Sequence, residues 1–443
     1  MGHLSFLTRA EIESLGPPTP EDIEEIGVSE SFLRDLSLKY VARLPEATSA
    51  TVAEQLHLPC ALTEEILYRL YREKLIEMRL QSTVGATRYA MLDQGWERLV
   101  RMESENGYRG PTPVSLADYS HMMRLQAAPS RPASIETVRA AFSDLVLPES
   151  LLQTLGCVIN SRSSLFLTGL PGTGKTAVSE RINAALSGSV WIPYAIEIDG
   201  QVIRIFDSRY HQPVAKKAST REHDRRWLEI ERPLIRVGGE ITLDNTALVW
   251  SETSKFYEAP FQMKANGGTL IIDDFGRQSV PTDSLLNRWI QPLERRVDFL
   301  TLNNGNKIEV PFEQLVVFAT SFDEREIVDD AFLRRLGYRA RIEMPTASAY
   351  LEIFKRAASA IAITLDEGSL NYVLDKYVIE KRPMKACEPR DLLNRVNDLC
   401  RFEGRPFHLT PEVVDIAWRN YFGAAHHFEY SPEAEQARAV VAS

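Results

Sequence analysis

The stretch LFLTGLPGTGKTAVSERINAAL, beginning at Leu165, passes from an apolar run into a glycine-rich loop and then into a helix-forming segment. Gly169 to Thr176 fit G-x-x-x-x-G-K-[ST], in the strand–loop–helix context that this motif needs. These residue types suit a polyphosphate. Gly169, Gly172 and Gly174 let the backbone wrap closely, with Pro171 and Thr173 between them; the amides running into Ala177 and the helix N-terminus face negative charge. Lys175 has the reach for β and γ phosphates, and the Thr176 hydroxyl is a hard oxygen ligand for Mg2+. A second stretch, TLIIDDFGRQ (residues 269–278), runs three aliphatic residues into the adjacent carboxylates Asp273 and Asp274. Magnesium–nucleotide chemistry needs a carboxylate beside the phosphate loop, on a strand next door. Leu270, Ile271 and Ile272 are apolar enough for a parallel strand buried on both faces. Asp273 is then expected in the Mg2+ shell, through water, and Asp274 nearest the attacking water, as its base or orienter.

The elements that must position these groups lie in the second part of a chain of 443 residues, which at about 150 residues per domain suggests two or three domains. Hydrophobic content of 44% and charged content of 25% are ordinary for a soluble globular chain. The net charge of −10 argues against a strong non-specific grip on nucleic acid, though a local basic face could persist within it. Cys60, Cys157, Cys387 and Cys400 form no CxxC pair and read as reduced, mostly buried thiols. No apolar run reaches the roughly 18 residues of a membrane span, and the N-terminus has no signal-peptide pattern, so the expected location is the cytoplasm.

Residues 1–29, acidic and proline-containing, read as an irregular lead-in. Residues 30–104 give a helix over SFLRDLSLKYVARL and a second over SATVAEQLHL, with Ser49 or Thr51 as its cap. A third covers LTEEILYRLYREKLIEM with Thr63 as a cap; two short strands about a glycine-containing turn and a closing helix follow. That order is the outline of a winged helix. Glycine, proline and serine place a linker at 105–135. Alternating strand and helix signals fill 136–345, 346–425 is nearly all helical, and 426–443 is a tail. Two hairpins are predicted: IEIDGQVIRIF around Asp-Gly, and VDFLTLNNGNKIEV around Asn-Asn-Gly-Asn.

Over about 136–425 the chain resembles the AAA+ ATPases. GLPGTGKT matches Walker A and LIIDDF resembles Walker B. LVVFATSFD resembles the sensor 1 strand, with Ser321, beside Thr320, where these ATPases usually carry Asn. DDAFLRRLGYRARIEMP resembles the arginine-finger segment, which offers Arg334 or Arg335 to a neighbouring subunit; ACEPRDLLNRV resembles sensor 2, with Arg390 directed at the nucleotide. The hairpin before sensor 1 resembles the branch holding MoxR-type chaperones, McrB-type GTPases and enhancer-binding activators, although no GAFTGA loop occurs. With its front module the chain resembles a group of bacterial AAA+ proteins. The resemblance implies an α/β P-loop NTPase fold with a RecA-like parallel sheet, a C-terminal all-helical lid, and ATP and Mg2+ as ligands. It also implies a homo-oligomeric ring, most often a hexamer, with sites at subunit boundaries. Two departures, Asp274 for the usual Glu and Ser321 for Asn, bear on hydrolysis rate more than on nucleotide binding.

On the third helix and wing, Arg69, Arg72, Lys74, Arg79 and Arg88 stand against Glu64, Glu65, Glu73 and Glu77, so the front module suits a protein contact or DNA. Three functions follow as expectations. They are a motor or chaperone that remodels or assembles a protein partner, a DNA-acting ATPase recruited by its winged helix, and a nucleotide-dependent scaffold with slow turnover.

Overall fold

The computed structural model describes residues 4, 8–79, 87–127, 132–215, 223–327, 330–361, 363, 365 and 367–423. The front unit begins with α1 (Arg9–Leu15), inside the stretch expected to be irregular. There the Glu11 carboxylate accepts the Thr8 N–H at 2.8 Å. It continues through α2 (Glu30–Arg43), β1 (Ala47–Thr48), α3 (Ser49–Leu56), α4 (Cys60–Arg72), β2 (Ile76–Arg79), β3 (Arg88–Met91) and α5 (Asp93–Glu105). The strands form an antiparallel sheet in the order β1-β3-β2; the expected glycine turn between β2 and β3 lies outside the described residues. Thr48, not Ser49 or Thr51, caps α3, because its hydroxyl accepts the Thr51 N–H. Thr63 is no cap either. Its helix already starts at Cys60, and its hydroxyl donates to the Pro59 carbonyl.

The stretch expected as a linker carries β4 (Val114–Ser115) and α6 (Leu116–Ala127). Its glycines and prolines shape the approach to β4, but Tyr119, Met122 and Met123 recur at helical spacing and are buried. Then come α7 (Ile135–Ala141), α8 (Glu149–Ser161), β5 (Leu165–Gly169) and α9 (Lys175–Ala185). A long insertion follows, with β6 (Ser189–Pro193), β7 (Ala195–Ile198), β8 (Gln201–Arg204) and β9 (Trp227–Glu231) before β10 (Leu234–Val237). After it lie β11 (Val249–Ser251), β12 (Phe256–Glu258), α10 (Phe261–Lys264), β13 (Thr269–Ile272), α11 (Thr282–Arg295), β14 (Val297–Thr301), β15 (Lys307–Pro311) and β16 (Leu315–Thr320). The short helices α12 (Glu324–Ile327) and α13 (Asp330–Leu333) precede β17 (Tyr338–Ile342).

The centre of the chain is an α/β P-loop NTPase fold. Five parallel strands run in the order β10-β13-β16-β5-β17, and the glycine loop joins β5 to α9. Every residue of β13 and β16 is buried, as a sheet covered on both faces requires. The strand period of two divides them. Leu270, Ile272, Val316 and Phe318 pack with Leu285 and Trp289 of α11; Ile271, Leu315 and Val317 pack on the other face with Leu155 of α8 and Ile182 of α9. A second sheet, β11-β12-β8-β7-β4, joins the insertion to the former linker. Both predicted hairpins are present. Asp199 (φ 52°) and Gly200 (φ 81°) turn β7 into β8, and β14 pairs antiparallel with β15 around Gly305 (φ 84°).

The C-terminal unit is helical: α14 (Ala347–Ala360), α15 (Glu367–Ile379), α16 (Glu388–Glu403) and α17 (Pro411–Phe422), around Tyr350, Phe354, Leu374, Tyr377, Leu393 and Trp418. The expected tail lies outside the described residues. Of the cysteines only Cys400 is buried; Cys387 is half-buried, and Cys60 and Cys157 are exposed, against the expectation. Cys60 opens α4, and Cys157 lies on the side of α8 away from its buried Leu155, Val158 and Ile159. No helix among the described residues is long and apolar enough to cross a membrane.

Candidate nucleotide site

The site lies at the C-terminal edge of the parallel sheet, where α/β folds place ligands. The register aligns Ile272 with Phe318 and Phe318 with Phe166; β13 ends there, beside β16 and β5, which run on to Thr320 and Gly169. Across that edge the Thr176 hydroxyl donates to Asp273 Oδ2 at 2.9 Å, joining groups 97 residues apart in sequence. Gly172 (φ 87°) and Gly174 (φ 95°) take left-handed backbone angles that side chains disfavour. The buried Thr173 donates its hydroxyl to the Leu170 carbonyl at 2.9 Å, which fixes the shape of the loop, while Pro171 is exposed and Ala177 half-buried. Lys175 is buried, and its ammonium donates to the carbonyls of Gly169 (2.8 Å) and Leu170 (3.1 Å). Burial lowers its pKa, and the nearby Asp273 and Asp274 oppose that shift.

Asp273 is half-buried and Asp274 exposed, the latter in a left-handed conformation (φ 49°) that turns the chain sharply after β13. The turn is braced twice. The Asp274 N–H donates to Asp273 Oδ1 at 3.0 Å, and the Gln278 amide donates to the carbonyls of Asp273 (3.3 Å) and Asp274 (3.2 Å) while accepting the Gly276 N–H (2.8 Å). Gln278 escaped the sequence reading because it acts on backbone, and no motif position marks it. Arg277, whose charge also depresses the Lys175 pKa, stacks over Phe322 at 5.5 Å and was likewise missed.

Ser321 follows β16 directly and is half-buried. Thr320 is committed to structure. Its buried hydroxyl donates to the Phe275 carbonyl at 2.7 Å and accepts the Phe322 N–H. Arg334 and Arg335 are exposed between α13 and β17, and Arg335 Nε lies 3.7 Å from Glu294 of α11. Arg390, 72% exposed, lies 3.4 Å from the carboxylate of its neighbour Asp391. What the helical unit brings to the phosphate loop is instead the turn before α16. The Cys387 N–H donates to the Gly172 carbonyl at 3.1 Å. This contact was not legible in the sequence, since backbone bonds carry no residue signature.

The donor set suits a nucleotide-borne cation. Thr176 and Asp273 offer hard oxygens, few enough for Mg2+ that keeps phosphate and water in its shell. Residues 346–420 match the family described as "Domain of unknown function (DUF8689)", from the residue before α14 into α17. No curated protein matches the chain in sequence. Among solved structures the chain is similar to NtrX from Brucella abortus in complex with ADP, at 15% identity over 62% of this chain and 56% of that one, with a TM-score of 0.38. The corresponding NtrX structure with ATP gives 15% identity, the same coverages and a TM-score of 0.37. A RuvB variant from Thermotoga maritima gives 15% identity over 65% of this chain and 70% of that one, with a TM-score of 0.35. The chain therefore spans 56% of the length of the NtrX chain.

Proposed function

We propose that this chain is an ATPase of AAA+ type that binds and hydrolyses Mg-ATP at the subunit boundaries of a homo-oligomeric, hexameric ring and uses the cycle to remodel or assemble a protein partner. The observation that carries the nucleotide part is the 2.9 Å contact between Thr176 and Asp273, which brings the glycine loop and the acidic strand end to one point. Bound Mg-ATP supplies the electrophilic γ-phosphoryl group and the cation that neutralises its charge. The protein's part is to position. Lys175 would exchange the Gly169 and Leu170 carbonyls for phosphate oxygens, and the loop amides and the N-terminus of α9 would hold the remaining charge. Thr176 and Asp273 would hold the cation, Asp274 would take or orient the water proton, and Ser321 would align the water. The test is ATP binding by equilibrium titration: Lys175→Ala is expected to lose it, and unchanged affinity would remove the phosphate loop from the reading.

Of the paired arginines, Arg334 is the better trans finger, because Arg335 faces Glu294 of its own subunit. Arg390, itself exposed, would reach nucleotide only by leaving Asp391, a weak partner at 3.4 Å.

The front unit, with three helices and then antiparallel β2 and β3, is read as a winged helix that docks protein. Three of the five basic residues on the third helix and wing are already matched by carboxylates: Arg69 by Glu30 and Glu65 (2.7 and 2.6 Å), Arg79 by Glu77 and Arg88 by Glu46, which leaves Arg72 and Lys74 outside the ion pairs of the described residues. A face that grips phosphates presents unmatched cations. DNA-stimulated turnover would favour the DNA-acting reading instead. The slow scaffold draws support from Asp274, whose short, exposed side chain leaves a left-handed turn; ring assembly with ATP but without phosphate release would select it.

A further inference from the structure

The turn that meets the phosphate loop is shaped from inside the helical unit. Glu388, the first residue of α16, is only 3% exposed. Its Oε2 accepts the Lys385 backbone N–H at 2.9 Å and the Tyr377 hydroxyl at 2.9 Å. Tyr377 in turn accepts the Tyr350 hydroxyl at 2.7 Å, and both rings lie in the core of the unit. The reciprocal bond, from the Glu388 N–H to the Lys385 carbonyl (3.1 Å), closes the turn. Closed in this way, it presents the Cys387 N–H to the Gly172 carbonyl. The fit on the loop side is tight. A Cβ on Gly172 would come within 2.9 Å of Cys387 Sγ and 3.2 Å of Lys385 Cδ.

We propose that Glu388 is a positioning residue: its buried carboxylate folds the 385–388 turn into the shape that latches the helical unit onto the phosphate loop, and so sets how tightly nucleotide is held. A buried carboxylate is a costly way to hold a helix start, since an exposed Ser or Asp cap would serve. The carboxylate does what such a cap does not, tying the core tyrosines to the Lys385 amide, two residues before the Cys387 N–H that reaches the phosphate loop. The latch acts on Gly172, whose peptide belongs to the cradle itself, so a displaced turn changes the loop that meets the phosphates.

The latch is independent of any nucleotide; its effect on affinity rests on the ATPase reading above. The experiment therefore has two arms on the full chain. In the first, amide hydrogen exchange is followed at Cys387 without nucleotide. Glu388→Leu is expected to speed exchange there at least tenfold, and Glu388→Gln, which keeps an acceptor oxygen in place, to restore it to within about threefold of wild type. Unchanged exchange in Glu388→Leu, or equal loss in both variants, overturns the proposal. Should Glu388→Leu not fold, Glu388→Asp takes its place. Withdrawing the oxygen by one methylene is expected to speed exchange severalfold, and wild-type exchange overturns the assignment. In the second arm, a fluorescent ATP analogue is titrated. Glu388→Leu, or Glu388→Asp in its stead, is expected to weaken binding about tenfold, with Glu388→Gln near wild type. Wild-type affinity in a variant whose Cys387 amide has been freed would refute the link to nucleotide. A wild type that binds no ATP at all would instead remove the ATPase reading and leave the first arm standing.

Discussion

At Asp274 a carboxylate one methylene shorter than glutamate leaves the sheet from a left-handed residue, held by its own N–H on Asp273 and by Gln278 on its carbonyl. A short side chain on a braced turn has little freedom, so the backbone decides where its carboxyl oxygens lie. Asp274→Asn is expected to keep ATP affinity within about twofold and to lower turnover by roughly 10²–10⁴, the range general base catalysis contributes. Steady-state phosphate release beside a binding titration measures both, and normal hydrolysis in the variant would relieve Asp274 of its role. The residues of the loop and of the acidic strand end were readable because their chemistry demands particular types at particular spacings. Gln278 and Glu388 were not, because each acts on backbone amides or carbonyls that any residue supplies. Thr320 was half-read. It sits beside Ser321 as expected, yet its hydroxyl holds the Phe275 carbonyl.

Among the elements, β13 and β16 were legible from composition, as aliphatic runs that only a doubly covered parallel strand can bury. Both hairpins were legible from turn chemistry, because Asp-Gly and Asn-Gly accept the positive φ that tight turns require. Helix α6 was not, since the glycines and prolines before it gave a stronger local signal than three apolar side chains at helical spacing. The segment from α13 to β17 is where an element-scale experiment is decisive. Mixing Arg334→Ala subunits with wild type is expected to poison shared sites, so that activity falls faster than the wild-type fraction. Removal of a trans arginine costs about 10³–10⁵ in turnover. Arg335→Ala, which removes a group facing Glu294 within the subunit, is expected to cost far less. Activity strictly proportional to the wild-type fraction in the Arg334→Ala mixture would place the finger elsewhere.

Across the whole molecule the front unit does not hang from a tether. Ala195 and Val202 of the insertion belong to the same apolar core as Leu33, Leu36 and Ile66. Arg226, 3% exposed, pairs with Asp224, 1% exposed, and donates to the carbonyls of Ile26 (2.6 Å) and Pro113 (3.4 Å). Arg226→Ala would strand a buried carboxylate, and urea unfolding is expected to show a loss of about 3–5 kcal/mol. A loss below about 1 kcal/mol would mean that the pair does not hold the two regions together. The short β4 pairs in parallel with β7, so Val114 has its partner at Ile196. Between those two strands the chain lays down α6, α7, α8, β5, α9 and β6, and with them the glycine loop. During synthesis on the ribosome, then, the amino-terminal region emerges first yet waits for its last neighbours until the phosphate loop is already outside the exit tunnel. Completion of one region is thereby tied to the birth of the other.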